Sequence, residues 1–304
     1  AGAGLSLLCS TNPDPPKIMT TSTISPVPPA PTSGLADLLA ERYGDGHVLD
    51  AVDNDVVRHI LNHRSVRAFE DRALPDNTLE TLVAAAQSGS SSSNLQVWSV
   101  VAVQDRTHKD QLAVWANNQD FVRQAPLFLV WLADLSRVRQ VAEPPPGVEI
   151  DGADYLESVI LASVDTAIAA QNAVLAAESL GLGAVYVGAI RSNVRAIAHD
   201  LALPPYVYPV FGLAVGHPVE SKPSYIRPRL PQAAVLHRER YDGSAQAEAA
   251  QSYNGALDAF WKKQSIDHPL WTRHLARRLG NVGRSGDARY ELRSILTELG
   301  FPLR

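Results

Sequence analysis

Only one cysteine, Cys9, occurs in the 304 residues, so the chain can form no internal disulfide and no thiolate metal centre. That scarcity suits a reducing compartment, and a cytoplasmic setting is expected. An excess of positive charge is also lacking. The formal net charge is -5, and Arg and Lys are scattered rather than gathered in runs, which leaves no field for holding a nucleic acid. Methionine is as scarce as cysteine: Met19 is the single one, although the sequence starts at Ala1. Residues 1–18 are therefore open to being a segment added ahead of the natural start. The opening AGAGLSLLCS is too short to span a bilayer and has no basic flank, so no targeting segment is read there. Residues 9–33 lack any hydrophobic period and are dense in Pro, Ser and Thr. Such a composition cannot repay the entropy of ordering, and residues 1–33 are expected to form a flexible tail.

What remains is apolar enough to fold, at 45% hydrophobic residues, and residues 34–304 read as one globular domain. Leu35, Leu38, Leu39 and Tyr43 fall at helical spacing, and residues 55–61 form a second helical run. A third helix is expected over 76–87, with Asp76 as its N-cap and Leu79, Leu82, Val83 and Ala86 as its apolar stripe. Residues 97–103, 127–132, 184–190 and 209–216 read as buried strands. Helices over 107–115 and 193–201 separate them, and from Ala245 the chain turns helical again, through 256–263, 268–279 and 289–299. The order is that of an α+β domain with no internal repeat. The longest helix is expected over 154–180, ends at Gly181, and is apolar on nearly all sides. Asp165, Gln171, Asn172 and Glu178 interrupt it, and polar groups in hydrocarbon are costly. It is read as buried in a core or against a partner, not in a membrane.

Four segments carry chemistry. HRSVRAF at 63–69 concentrates His63, Arg64, Ser65 and Arg67, side chains suited to gripping a phosphate, although a solvated basic turn would look the same. SSSSNLQVW at 90–98 sits between a helix and a strand, where hydroxyls can ring a polar ligand or simply form a connector. No GxSxG elbow is present to make any of these serines a nucleophile. GLGAVYVGAIR at 181–191 offers small residues that let backbone approach a flat ligand. It holds no GxGxxG, and a helix C-cap followed by a tight turn explains Gly181 and Gly183 equally. RPRLP at 227–231 sets Arg227 and Arg229 two apart on a stiffened segment, either as a second phosphate clamp or as a surface loop.

In their order and spacing these segments, with AAESLGLGAVYVGAIR and FGLAVGHP, resemble the nitroreductase superfamily. The branch they resemble is that of oxygen-insensitive, NADPH-dependent nitroreductases and flavin reductase P. The resemblance runs from about His59 to the C-terminus.

That resemblance implies a sandwich with a central, mostly antiparallel sheet flanked by helices. It also implies two chains interlocked as a homodimer through long helices, with flavin sites at the interface. It implies FMN as cofactor, NADPH rather than NADH as the favoured reductant, and nitroaromatics, quinones or flavin as small-molecule acceptors. In a ping-pong cycle NAD(P)H would deliver hydride to FMN N5 and leave before the acceptor binds, with no protein nucleophile required. By the same resemblance His63, Arg64 and Ser65, with Arg227 and Arg229, would take the phosphate and ribityl side. Arg67 would approach N1 and O2 and stabilise the charge that develops there. Ser91, Ser92 and Ser93 would serve the partner's flavin. Gln119 would lie near the ribityl chain, and Tyr186, Val187, Gly188 and Ala189 would supply backbone groups to the ring edge. Arg227 departs from the family's usual Lys, and Ala189 from its frequent Gly. Lys262, Lys263 and Arg289 align loosely with basic positions proposed to meet the NADPH phosphate, although a solvated helix face accounts for the lysines as well. Two other classes fit parts of the pattern: a flavin-binding sensor or storage protein with little turnover, and a helical dimer without cofactor.

Overall fold

The computed structural model describes residues 33–44, 49, 51–280 and 288–304. The expectations for the tail fall outside these residues, apart from Ser33. Four strands form the centre: β1 (Trp98–Val103), β2 (Leu127–Asp134), β3 (Gly183–Val187) and β4 (Val207–Gly216). They lie in the order β1-β2-β4-β3, and every pairing is antiparallel. The helices are α1 (Leu35–Tyr43), α2 (Asp55–Leu61), α3 (Thr78–Gln87), α4 (Arg106–Trp115), α5 (Asp120–Gln124), α6 (Ser136–Val141), α7 (Leu156–Ser179), α8 (Val194–Asp200), α9 (Gln246–Lys263), α10 (Trp271–Leu279) and α11 (Leu292–Glu298).

All eight residues of β2 are buried, because helices cover both faces of the sheet. Alternation divides the strand. Phe128, Val130 and Leu132 join a core with Leu112, Val122 and Ile197, under α4, α5 and α8. Leu127, Leu129 and Trp131 turn the other way, against Leu82 of α3 and Ala169, Ala173 and Val174 of α7.

α7 is by length and composition apolar enough to cross a membrane, but its inner face is core. Thr166, fully buried, donates to the Leu132 carbonyl of β2 at 3.2 Å. The helix ends in a Schellman motif: Leu182 N donates to Ala177 O and Gly181 N to Glu178 O, each at 3.0 Å. Gly181 takes the left-handed φ of 75° that this ending requires. The terminus was legible from that glycine.

Several boundaries differ from expectation. The helix expected from Asp76 begins at Thr78, after Asn77. Asn77 takes φ 61°, a left-handed conformation that asparagine tolerates, so the chain enters the helix one residue later and Asp76 is not the cap. The strand expected over 184–190 stops at Val187, where the chain tightens into a 3-10 turn over Gly188–Asn193. Helices α5 and α6, of five and six residues, were not expected. Both are too short to show a period.

Candidate functional site

The segment before α3 docks on the edge of the sheet. Val66 N donates to Ala184 O at 3.0 Å, so Ser65 pairs in parallel with Ala184 of β3. Gly183 makes this approach possible. A Cβ there would stand 2.5 Å from Cγ2 of Val66, well inside van der Waals contact. Two of the chemistry-bearing segments, 63–69 and 181–191, therefore lie side by side.

The RPR segment closes against the same place. Arg227 and Arg229 join His63, Arg64, Ser65 and Arg67 around a cavity of about 330 Å³. Lys222, Phe260, Trp261 and Gln264 are also in its wall. Five side chains there carry a fixed positive charge, His63 can add a sixth, and among the described residues no carboxylate lines it. Such a concentration repels itself. Partial burial of the Arg67 guanidinium inside the cavity, and then the like charge of Arg227, hold it below its ordinary value.

The cations are held from behind. Glu178, near the end of α7, has Oε1 2.7 Å from Nδ1 of His63. Its Oε2 is buried without a hydrogen-bond partner among the described residues. The Arg227 guanidinium lies over the Trp261 ring at 5.0 Å. Trp261 in turn stacks on His268 at 4.7 Å. Tyr253 of α9 donates to the Pro228 carbonyl at 3.2 Å. Arg42 of α1 reaches both cationic segments from below. None of Arg42, Glu178, Lys222, Trp261 or Tyr253 was singled out as a site residue from the sequence. The contacts of Arg42, Glu178, Trp261 and Tyr253 with the cationic segments join positions far apart in the chain, and only Glu178, inside the quoted AAESLGLG, carried a local signal.

The remaining expected residues stand elsewhere. Ser91, Ser92, Ser93, Gln119, Tyr186, Val187, Gly188 and Ala189 do not line this cavity within the single chain. The serine segment is nevertheless rigidly specified. Ser91 Oγ donates to Asp165 Oδ2 at 2.6 Å and Ser92 N to Oδ1 at 3.1 Å. That buried carboxylate holds a turn in which Ser93, Asn94 and Gln96 all take left-handed φ, at 49°, 55° and 53°. Ser93 and its neighbours are exposed as a result. Gln119 is the N-cap residue of α5. Tyr186, in β3, meets Phe211 edge-on at 5.1 Å, and burial and Glu178 push its phenol far up.

Lys262 is exposed and paired with Asp258 at 2.7 Å. Lys263 lines a second cavity between α1 and α9. Arg289 lies near Arg191, whose guanidinium is lowered by burial and by the like charges of Arg289 and Arg278. Lys262 and Arg289 are thus not brought together around the cationic cavity.

The chain is similar to known proteins in sequence and fold. Residues 60–217 match the model of the nitroreductase family and residues 227–304 that of the nitroreductase family C-terminal domain. The chain is 41% identical over 214 residues to an FMN reductase (NADPH) of Bacillus subtilis, covering 70% of this chain and 85% of that protein. It is 36% identical over 222 residues to an oxygen-insensitive NADPH nitroreductase of Salmonella typhimurium, covering 72% and 89%. The solved structure of NfrA2 from Bacillus megaterium superposes with a TM-score of 0.75 at 37% identity, over 83% of this chain and 100% of that one. By sequence and fold, this chain belongs to the nitroreductase family.

Proposed function

We propose that the chain is an FMN-dependent reductase that draws two electrons from a reduced nicotinamide and passes them to a small, flat, electron-poor acceptor. The observation that carries this reading is the cavity of five fixed cations and His63 with no described carboxylate in its wall. A site of that charge selects a dianion, and a phosphate monoester is the one an FMN reductase must hold.

The donor set fits FMN. Arg64, Arg227, Arg229, Ser65 and His63 are the groups to hold its phosphate and ribityl side. The guanidinium of Arg67 is the one to face the pyrimidine edge, where it would stabilise negative charge without reorganising. Gln119 and the backbone of Tyr186, Val187, Gly188 and Ala189 are assigned to the ribityl chain and ring edge. Bound FMN supplies the redox chemistry, and the protein orients it, excludes water and tunes its electronics.

A second copy of the chain completes the site in this reading. Leu156, Ile160, Val164 and Ile168 are 38% to 51% exposed and recur every fourth residue, so they form one apolar stripe on the outer face of α7. A stripe of that kind on a soluble core helix marks an interaction surface. Pairing along it forms the homodimer, and the exposed turn of Ser91, Ser92 and Ser93 is the part offered to the neighbouring cavity. NADPH is the favoured reductant, in keeping with the relatives named for it. Arg289, beside Arg191, and Lys262, on the exposed side of α9, are the candidates to meet its additional phosphate. A cytoplasmic setting supplies that reductant.

Steady-state kinetics tests the activity. Varying NADPH at several fixed concentrations of a nitroaromatic is expected to give parallel double-reciprocal lines, as required when reductant leaves before acceptor binds. Converging lines would contradict the shared position. Negligible turnover with every acceptor would favour a flavin-binding sensor or store.

A further inference from the structure

α1 precedes both regions that match the family models, which begin at residue 60. Its Arg42 is nonetheless only 7% exposed and lies beneath the cationic segments. Nη1 donates to the Arg227 carbonyl at 3.0 Å, and Nη2 donates to those of Leu61 and His63 at 2.7 and 3.0 Å. The Arg42 carbonyl, in the last turn of α1, is one of the acceptors that a helix end leaves unfilled. It accepts from the Arg229 amide at 2.7 Å. One residue thus makes four hydrogen bonds that tie the 61–63 stretch to the RPR segment.

The position of Arg42 is fixed. Leu38 and Leu39 of the same helix are buried, so α1 is packed in place. Among the described residues no carboxylate forms an ion pair with the Arg42 guanidinium, and carbonyl oxygens alone satisfy it. Burial, and then the like charge of Arg229, hold it below its ordinary value. Glu41 and Glu178 act on it only as more distant negative charges, and a buried cation without a direct ion pair is costly. Its planar fork reaches two separate stretches of backbone at once, which an ammonium point donor cannot do.

We propose that Arg42 is a positioning residue: it clamps the backbones of His63 and Arg227 at the separation a phosphate monoester needs, so that α1 completes the anion site from outside the family-matched region. The proposal rests on reading the cavity as the FMN phosphate site. It assigns Arg42 no contact with the ligand. Its effect is on the spacing of groups that do make contact, and therefore on phosphate affinity rather than on the flavin ring.

FMN and riboflavin share the ring and differ in the phosphate. Their dissociation constants, measured by quenching of flavin fluorescence, separate the two contributions in the wild type, Arg42→Ala and Arg42→Lys. The ratio of riboflavin Kd to FMN Kd is expected to be well above one in the wild type. It should fall at least about tenfold in Arg42→Ala, equivalent to about 1.4 kcal/mol, while the riboflavin Kd stays nearly unchanged. Arg42→Lys should also lower the ratio, and it decides the matter if Arg42→Ala does not fold. Variants that weaken both flavins equally, or that leave the ratio at its wild-type value, would overturn the clamp and leave the cofactor reading intact. A wild-type protein that binds FMN no better than riboflavin would overturn the cofactor reading, and the clamp with it.

Discussion

Glu178 presents Oε1 to Nδ1 of His63 at 2.7 Å, joining the last turn of the longest helix to the start of the cation-rich segment. With Nδ1 engaged, the ring orientation is set and Nε2 is left as the nitrogen available to a ligand. Glu178→Ala removes that constraint, and FMN Kd is expected to rise by about tenfold, the scale of one charge-assisted hydrogen bond at a partly exposed pair. Glu178→Gln keeps an acceptor at the same place and should lose less. Equal affinity in Glu178→Ala and wild type would remove the pair from the binding site.

Gly183→Ala tests the sheet-edge docking. The added methyl overlaps Val66 side-chain atoms at 2.5 to 2.8 Å, and Val66 is itself buried. Such overpacking costs about 1–3 kcal/mol. A lower Tm by thermal denaturation, with weaker FMN binding as the 63–67 segment is displaced, is the expected outcome. A variant with unchanged Tm would mean that Val66 can move aside freely.

Much of this fold was legible in the sequence, because burial leaves a period. The unbroken apolar, β-rich run of β2 and the stripe of α3 placed them, and Gly181 marked the end of α7. Where a residue's role depends on contacts distant in sequence, no local pattern exists. Arg42 and Arg227 are 185 positions apart and His63 and Glu178 are 115 apart, so only the folded chain shows that they meet. The sequence did single out all the cations of the cavity except Lys222. It did so because an anion site concentrates one side-chain chemistry within short segments, whereas its supports are drawn from α1, α7 and α9.

Asp165→Ala should release the serine turn. The substitution removes the acceptor of the Ser91 hydroxyl and the Ser92 amide, while three nearby residues hold left-handed φ. Leaving those donors unpaired costs about 1–3 kcal/mol. Hydrogen exchange at residues 91–96 is expected to quicken more than in the sheet. Uniform exchange rates relative to wild type would show that the turn holds itself.

Val164→Glu places a charge in the middle of the exposed stripe of α7, where Val164 is 51% exposed in the single chain. The fold of the protomer should survive, because the side chain points away from the core. Sedimentation is expected to show a dimer for wild type and a monomer for the variant, with FMN binding reduced in the monomer. A wild-type monomer that binds FMN fully would contradict the two-chain site.

The most direct test of the central claim is the visible absorption spectrum of wild-type protein supplemented with FMN, desalted, and then mixed with NADPH without oxygen. The account predicts flavin bands that survive desalting and bleach on addition of NADPH. Bands that persist unbleached would contradict the reductase reading while leaving flavin binding in place, and the absence of bands would contradict the assignment of the cationic cavity to FMN.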